Sequence, residues 1–231
     1  MSLKKAIIFD FGGTLDSDGI HWSEKFWDIY SIAGVECTKP DYEKAYLAAE
    51  KKLVSNIYGK LSFKDIFKQG LKNQLEYLYP KERSKVQTLS SQLLEILYDD
   101  VLNTVEEAKA VLRSLEKDFK LGLVSNFYGN LKEVCKELEL TMFDTMIDSE
   151  TVQIRKPDPA IFSLAIKELN LDAIDCIVVG DSYDNDIEPA KSLGCTTIWL
   201  KGRSWREFNN TKSADYIIKS IKEIPGIVYN L

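Results

Sequence analysis

The stretch Ala6-Ile7-Ile8-Phe9-Asp10-Phe11-Gly12-Gly13-Thr14-Leu15 decides how the rest of the chain is read. Four apolar residues stop at a carboxylate, and the two glycines beyond it let the backbone turn tightly beside whatever that carboxylate touches. An unbroken apolar run of this length is the pattern of a parallel strand buried on both faces. Two more runs end the same way: Leu121 to Val124 leads into Ser125-Asn126, and Cys176 to Val179 into Gly180-Asp181-Ser182-Tyr183-Asp184-Asn185-Asp186. Thr196 to Leu200 is a fourth strand and Ala214 to Ile218 a weaker fifth. Between them, Val105 to Leu115, Asn130 to Leu138 and Pro159 to Leu169 carry apolar residues at helical spacing. Strands alternating with helices predict an α/β fold built on an open parallel sheet.

The rhythm breaks after Asp16. Trp22 to Ala33, Pro40 to Val54, Ser62 to Tyr79 and Lys81 to Tyr98 all read as helices, punctuated by Gly34, Gly59 and Pro80, with no convincing strand among them. This predicts a helical insert over residues 16–103 in an α/β core made of residues 1–15 and 104–231, with linkers near Asp16 and Asn103. Lys39 to Lys85 holds 11 basic and 6 acidic residues. Solvated helix faces explain that surplus, and a basic surface that draws in phosphate is the alternative.

The full chain of 231 residues carries a formal net charge of −6 and a pI near 5.1, which argues against a polyanion such as nucleic acid as partner. No segment approaches the roughly 20 apolar residues of a membrane span, and the N-terminal apolar run stops after four residues at Asp10. Cys37, Cys135, Cys176 and Cys195 are scattered without a C-x-x-C pair and read as reduced, mostly buried thiols. A soluble cytoplasmic protein is expected.

In an open α/β sheet the site lies at the carboxyl ends of the strands. Asp10, Ser125 and the acidic run from Asp181 to Asp186 all follow strands, and Arg155-Lys156-Pro157-Asp158-Pro159 offers a lysine on a loop before a helix. Several carboxylates on one edge repel one another, and the usual compensation is a divalent, oxygen-seeking cation such as Mg²⁺, assisted by a lysine. Spacing alone leaves open whether Asp184 or Asp186 faces that cation.

Four segments in order, Phe9 to Leu15, Leu123 to Asn126, Lys156-Pro157-Asp158, and Gly180-Asp181 to Asp186, resemble the four motifs of the haloacid dehalogenase superfamily of hydrolases, over the α/β part of the chain. The insert resembles the helical cap of that superfamily's first subclass. The resemblance implies a Rossmann-like core, a mobile cap, a Mg²⁺ ion and a covalent aspartyl phosphate formed from a small phosphorylated metabolite. It makes Asp10 the nucleophile. Ser125 and Asn126 would hold the phosphoryl group with the backbone N–H groups of Gly12, Gly13 and Thr14, and Lys156 would neutralise charge. Asp10, the Gly12 carbonyl, Asp181 and, by the family's pattern, Asp186 would be the metal ligands.

The sequence departs from the family at Gly12, where its phosphatases carry a second aspartate that protonates the leaving group and then activates water. Such a group is typically worth about 10²–10⁴-fold in rate. Asp16 and Asp18 are substitutes from the following turn, and His21 is another, although its position before Trp22 also reads as a helix entry. If none acts, a catalytically weakened phosphate-binding protein is the alternative. A dehalogenase needs no such proton, but it would need an early arginine, and the first in this chain is Arg83. A phosphonatase would recruit a cap lysine, for which Lys51 and Lys52 stand available. Trp199, Trp205 and Phe208 read as packing residues.

Overall fold

A computed structural model describes residues 4–54, 61–204 and 214–231. The strands are β1 (Ala6–Phe9), β2 (Lys120–Ser125), β3 (Thr145–Asp148), β4 (Cys176–Gly180), β5 (Thr196–Leu200) and β6 (Tyr216–Ile218). The helices are α1 (Trp22–Ile32), α2 (Lys39–Val54), α3 (Phe63–Leu78), α4 (Arg83–Leu115), α5 (Leu131–Glu137), α6 (Ser149–Val152), α7 (Ala160–Glu168), α8 (Glu188–Ser192) and α9 (Ile224–Val228). All pairings in the six-stranded sheet are parallel, in the order β3-β2-β1-β4-β5-β6, a Rossmann-like arrangement. Trp205 and Phe208 lie outside the described residues.

The pleat sorts β1 onto two cores. Ile7 and Phe9 join Leu121, Leu123, Ile177 and Val179 on one face, while Ala6 and Ile8 join Val124, Cys176 and Val178 on the other, under Ile161, Phe162 and Ala165 of α7. Burial on both faces is why these strands read as unbroken apolar runs. The sequence patterns omit β3. Its four residues, Thr-Met-Ile-Asp, present no run long enough to stand out from the loop before them. Its last residue, Asp148, accepts hydrogen bonds from the N–H groups of Gly129 and Leu131 and so fastens the loop that follows β2.

The helices between β1 and β2 contain no strand, as the sequence predicts, but the expected linker near Asn103 is absent. The helix α4 runs unbroken for 33 residues, from Arg83 to Leu115. Its N-terminal half packs on α3 and α1, and its C-terminal half carries Val105, Ala108, Leu112 and Leu115 in the same apolar cluster as the sheet residues. The two helices read from sequence are thus one rod, because the segment between them, Asp99 to Thr104, holds no glycine or proline to stop it. Lys25 of α1 is buried and pairs with Asp100 of α4 at 2.8 Å. Glu137 of α5 accepts from the Phe63 N–H and the Tyr98 hydroxyl, and so ties α3 and α4 to the α/β part.

The four cysteines are free thiols, three of them buried. No described helix is long and apolar enough to cross a membrane.

Because α4 is continuous, proline at the exposed position 103 should act as a helix-interior substitution. Asn103→Pro is expected to cost about 3 kcal/mol or more, read as a shifted urea midpoint; a linker at that point would leave the midpoint unchanged.

Candidate active site

β1 pairs with β2 on one side and β4 on the other, so successive connections leave it in opposite directions and a crevice opens beyond its carboxyl end. Asp10 stands in that crevice, its N–H donating to the Val179 carbonyl at 2.9 Å. Asp181 follows β4 directly. Asp186 is brought in by a single π-helical turn, Tyr183–Ile187, and is fully buried. One oxygen from each of Asp10, Asp181 and Asp186 lies within 4.8 Å of the others. Asp184 is exposed, and of the two residues left open by spacing it is Asp186 that joins Asp10 and Asp181.

Lys156 is the cation of this cluster. Its Nζ donates to Asp10 Oδ1 at 2.5 Å and to Asp186 Oδ1 at 2.6 Å. Burial by itself would depress the ammonium's pKa, but the two carboxylates outweigh it and hold the lysine charged. Burial and then repulsion from Asp10 and Asp186 push the Asp181 carboxyl well above the usual range. Burial also raises Asp186, against the pull of Lys156. One lysine does not neutralise three carboxylates, and their hard oxygen donors fit a divalent cation such as Mg²⁺ or Ca²⁺.

The turn after β1 is shaped to let these groups meet. Gly13 has φ +94°, and a Cβ there would lie 2.5 Å from the Asp181 carboxyl group. A Cβ on Gly180 would likewise collide with Asp186. Thr14 Oγ1 donates to Asp181 Oδ1 at 3.2 Å and accepts from its N–H at 3.1 Å. Trp199 Nε1 donates to the Asp181 carbonyl at 2.8 Å, so this tryptophan supports the acidic loop as well as packing.

Several expected phosphate contacts are otherwise engaged. The Gly13 N–H donates to Asp16 Oδ1 at 2.8 Å and the Thr14 N–H to the Phe11 carbonyl, which closes the turn. The Asn126 side chain binds the main chain of Lys156 through both ends of its amide, at 2.8 and 3.0 Å, and so positions the lysine. Ser125, buried at the end of β2, and Gly12 do line the cavity beside Asp10.

Among the substitutes for the missing aspartate, the structure separates three roles. Asp18 points away and caps the turn at Ile221–Glu223 through the Ile221 N–H and the Ser220 hydroxyl. The His21 Nδ1 accepts from the Ser23 N–H and caps α1, although the residue also borders the cavity. Asp16 is 1% exposed, lines the cavity, and accepts from the Gly13 N–H and, at 3.1 Å, from Trp22 Nε1. Its Oδ2 lies 4.0 Å from where a Cβ of residue 12 would sit. Burial, set against the Gly13 hydrogen bond, pushes its carboxyl up to about 7.

The cavity has a volume of about 230 Å³. Its far wall comes from the helices and includes Trp22, Phe26, Tyr46, Glu50 and Phe67, residues the sequence reading did not single out. The available signal was a carboxylate beside the apolar stripe Tyr42, Tyr46, Ala49, Leu53 of α2. Lys51 and Lys52 are exposed, Lys52 pairing with Glu76, and Arg83 is exposed at the start of α4. None of the three reaches the cavity, which removes the observations a phosphonatase or dehalogenase reading requires.

A family model of haloacid dehalogenase-like hydrolases matches residues 4–194. The chain belongs to that family. Among curated relatives of this haloacid dehalogenase-like chain, the glyceraldehyde 3-phosphate phosphatase of Methanocaldococcus jannaschii is 31% identical over 137 residues, 58% of this chain and 57% of the relative. The pyrimidine 5'-nucleotidase YjjG of Escherichia coli is 27% identical over 134 residues, 56% of this chain and 58% of the relative. The chain thus spans about half the length of the curated relatives it matches. Among solved structures, the phosphatase of this superfamily from Thermococcus onnurineus superposes with a TM-score of 0.53 at 24% identity, covering 97% of each chain, a likeness of fold.

Gly13→Ala is expected to drive Asp181 out of the cluster, since the new methyl would stand inside van der Waals distance at a backbone angle that L side chains disfavour. The thermal midpoint should fall, and calorimetric affinity for a divalent cation should drop by about tenfold or more.

Proposed function

We propose that this chain is a Mg²⁺-dependent phosphohydrolase that acts on a small phosphorylated metabolite through an aspartyl phosphate on Asp10. The observation that carries the reading is the buried constellation of Asp10, Asp181 and Asp186 joined by Lys156 beside Ser125, at the point where the sheet order reverses. The phosphatase relatives support it. Asp10, Asp181 and Asp186 would hold the cation, which supplies charge neutralisation for the phosphoryl oxygens when bound.

Asp10, paired with Lys156, attacks phosphorus in line, its carboxylate oxygen forming the new O–P bond as the ester O–P bond breaks. Ser125 and Lys156 hold the phosphoryl oxygens as charge develops. The departing oxygen needs a proton, and Asp16 is placed to give it, because its carboxyl occupies the space beside Gly12 that the family's second aspartate would otherwise fill. A carboxyl raised to about 7 is protonated in a useful fraction near neutrality. Once ionised, Asp16 accepts a proton from the water that attacks the phosphorus of the acyl phosphate, which frees phosphate and restores both carboxyl groups.

Asp10→Asn should abolish turnover and the acyl phosphate together. Asp16→Asn should separate substrates. Hydrolysis of alkyl phosphates, whose alkoxides need a proton, is expected to fall about 10²-fold or more, while p-nitrophenyl phosphate still phosphorylates Asp10 and leaves a trapped phosphoenzyme. Equal losses on both esters with no trapped intermediate would remove Asp16 from the chemistry.

The raised carboxyls also set a pH dependence. In the metal-free protein they favour folding below the ordinary carboxylate range, a contribution lost as pH rises through their elevated values. Protons and Mg²⁺ compete for the same oxygens. The rise in thermal midpoint on adding Mg²⁺ should therefore be larger near about pH 8 than near about pH 5.

A further inference from the structure

The helical wall of the cavity takes no part in phosphoryl transfer, yet it carries a carboxyl group that no described residue pairs with. Glu50 projects from α2 into the cavity among Tyr46, Leu53, Phe67 and Tyr128. Among the described residues it has no hydrogen bond and no ion pair, and its recessed, apolar surroundings alone push its carboxyl up to about 7. Burial, followed by the Glu50 carboxylate, likewise raises the Tyr128 phenol, as expected for two groups facing each other across a poorly solvated gap.

Among the described residues, Lys156 is the one lysine or arginine that lines the cavity, and the neighbouring cations pair with other carboxylates. Lys156 is shared between Asp10 and Asp186. Lys25 pairs with Asp100, Lys52 with Glu76 and Arg155 with Glu150. A cation held by Asp10, Asp181 and Asp186 would sit in the other wall. A recessed carboxylate without a partner is costly, and the missing donor is then brought by a ligand. Trp22 and Phe67, with ring centroids 4.7 Å apart, give the same chamber an aromatic lining suited to a flat or apolar body.

We propose that Glu50 is a specificity-determining residue that receives a protonated amine on the leaving-group side of the substrate, which would be the phosphate monoester of a small apolar or aromatic amino alcohol. The proposal rests on the phosphohydrolase reading of the same site. The phosphate lies against Asp10 and Lys156, the apolar body fills the chamber, and the ammonium group donates to the Glu50 carboxylate. Substrates with a second anionic group at that end are disfavoured by the same carboxylate.

The test is calorimetric binding of two non-hydrolysable probes, benzylphosphonate and 4-(aminomethyl)benzylphosphonate, with Mg²⁺ near about pH 8, where Glu50 is largely ionised. The natural protein is expected to bind the amine-bearing probe about tenfold or more tightly than its parent, a difference set by one charge-assisted hydrogen bond. Glu50→Gln should erase that preference and leave benzylphosphonate affinity within about twofold, so the parent probe also reports that the variant is folded. Equal binding of both probes by the natural protein, or a preference that survives Glu50→Gln, overturns the role of Glu50 and leaves the phosphohydrolase reading standing. Binding of neither probe by the natural protein overturns both.

Discussion

Three carboxylates whose oxygens lie within 4.8 Å of one another must be paid for in a buried crevice, and most of the local structure is arranged around that repulsion. Lys156 meets two of them, and its own loop is fastened by the Asn126 amide. Thr14 and Trp199 hold Asp181 by its side chain and its carbonyl. Gly13 and Gly180 lack side chains where a Cβ would strike a carboxylate. Removing one partner of such a pair typically costs about 3–5 kcal/mol, because the other is left charged and dry, so these contacts stand or fall together. The oxygen donors of such a site fit a divalent cation.

The helical region is joined to the sheet more firmly than an insert on two tethers. A single apolar cluster runs from β1 through Phe11 into the helices, where Phe11 packs edge-on against both Phe63 and Phe127 at about 5.6 and 5.5 Å between centroids. The helix α4 spans both parts, and Glu137 bonds to α3 and α4 from the other side. Helix α4 and this aromatic contact are thus shared by the helical region and the sheet.

Among the described residues, part of the basic surplus between Lys39 and Lys85 pairs at the surface. Lys39 pairs with Glu24, Lys44 with Asp41, Lys52 and Lys72 with Glu76, and Lys85 with Glu82, while Lys85 also lies over the Tyr79 ring. None of these lysines lines the cavity. The described lining of the chamber is apolar and acidic apart from Lys156, opposite in sign to the charge the composition of that segment displays.

The sequence alone determined the elements whose environment is uniform along the chain. The strands β1, β2, β4 and β5 are buried on both faces and thus legible as apolar runs, and each carboxylate or hydroxyl at their ends was legible because topology sends strand ends to one edge. Asp10, Ser125 and Asp181 were found in this way, whereas Lys156 was read from its loop before a helix and Asp186 was favoured over Asp184 only by the family's pattern. Tertiary structure decided what depends on neighbours distant in sequence. It separated Asp16 from Asp18 and His21, since only the direction of each side chain out of one tight turn sends Asp16 into the cavity and Asp18 to the Ser220 turn. It turned the expected N–H donors of Gly13 and Thr14 inward to Asp16 and Phe11. It joined two helices into α4, and it placed Glu50 in the wall of the cavity that Asp10 lines. On a helix surface a glutamate looks the same in sequence whether it meets water or a chamber, and only the packing of α2 and α3 over the sheet edge tells the two apart.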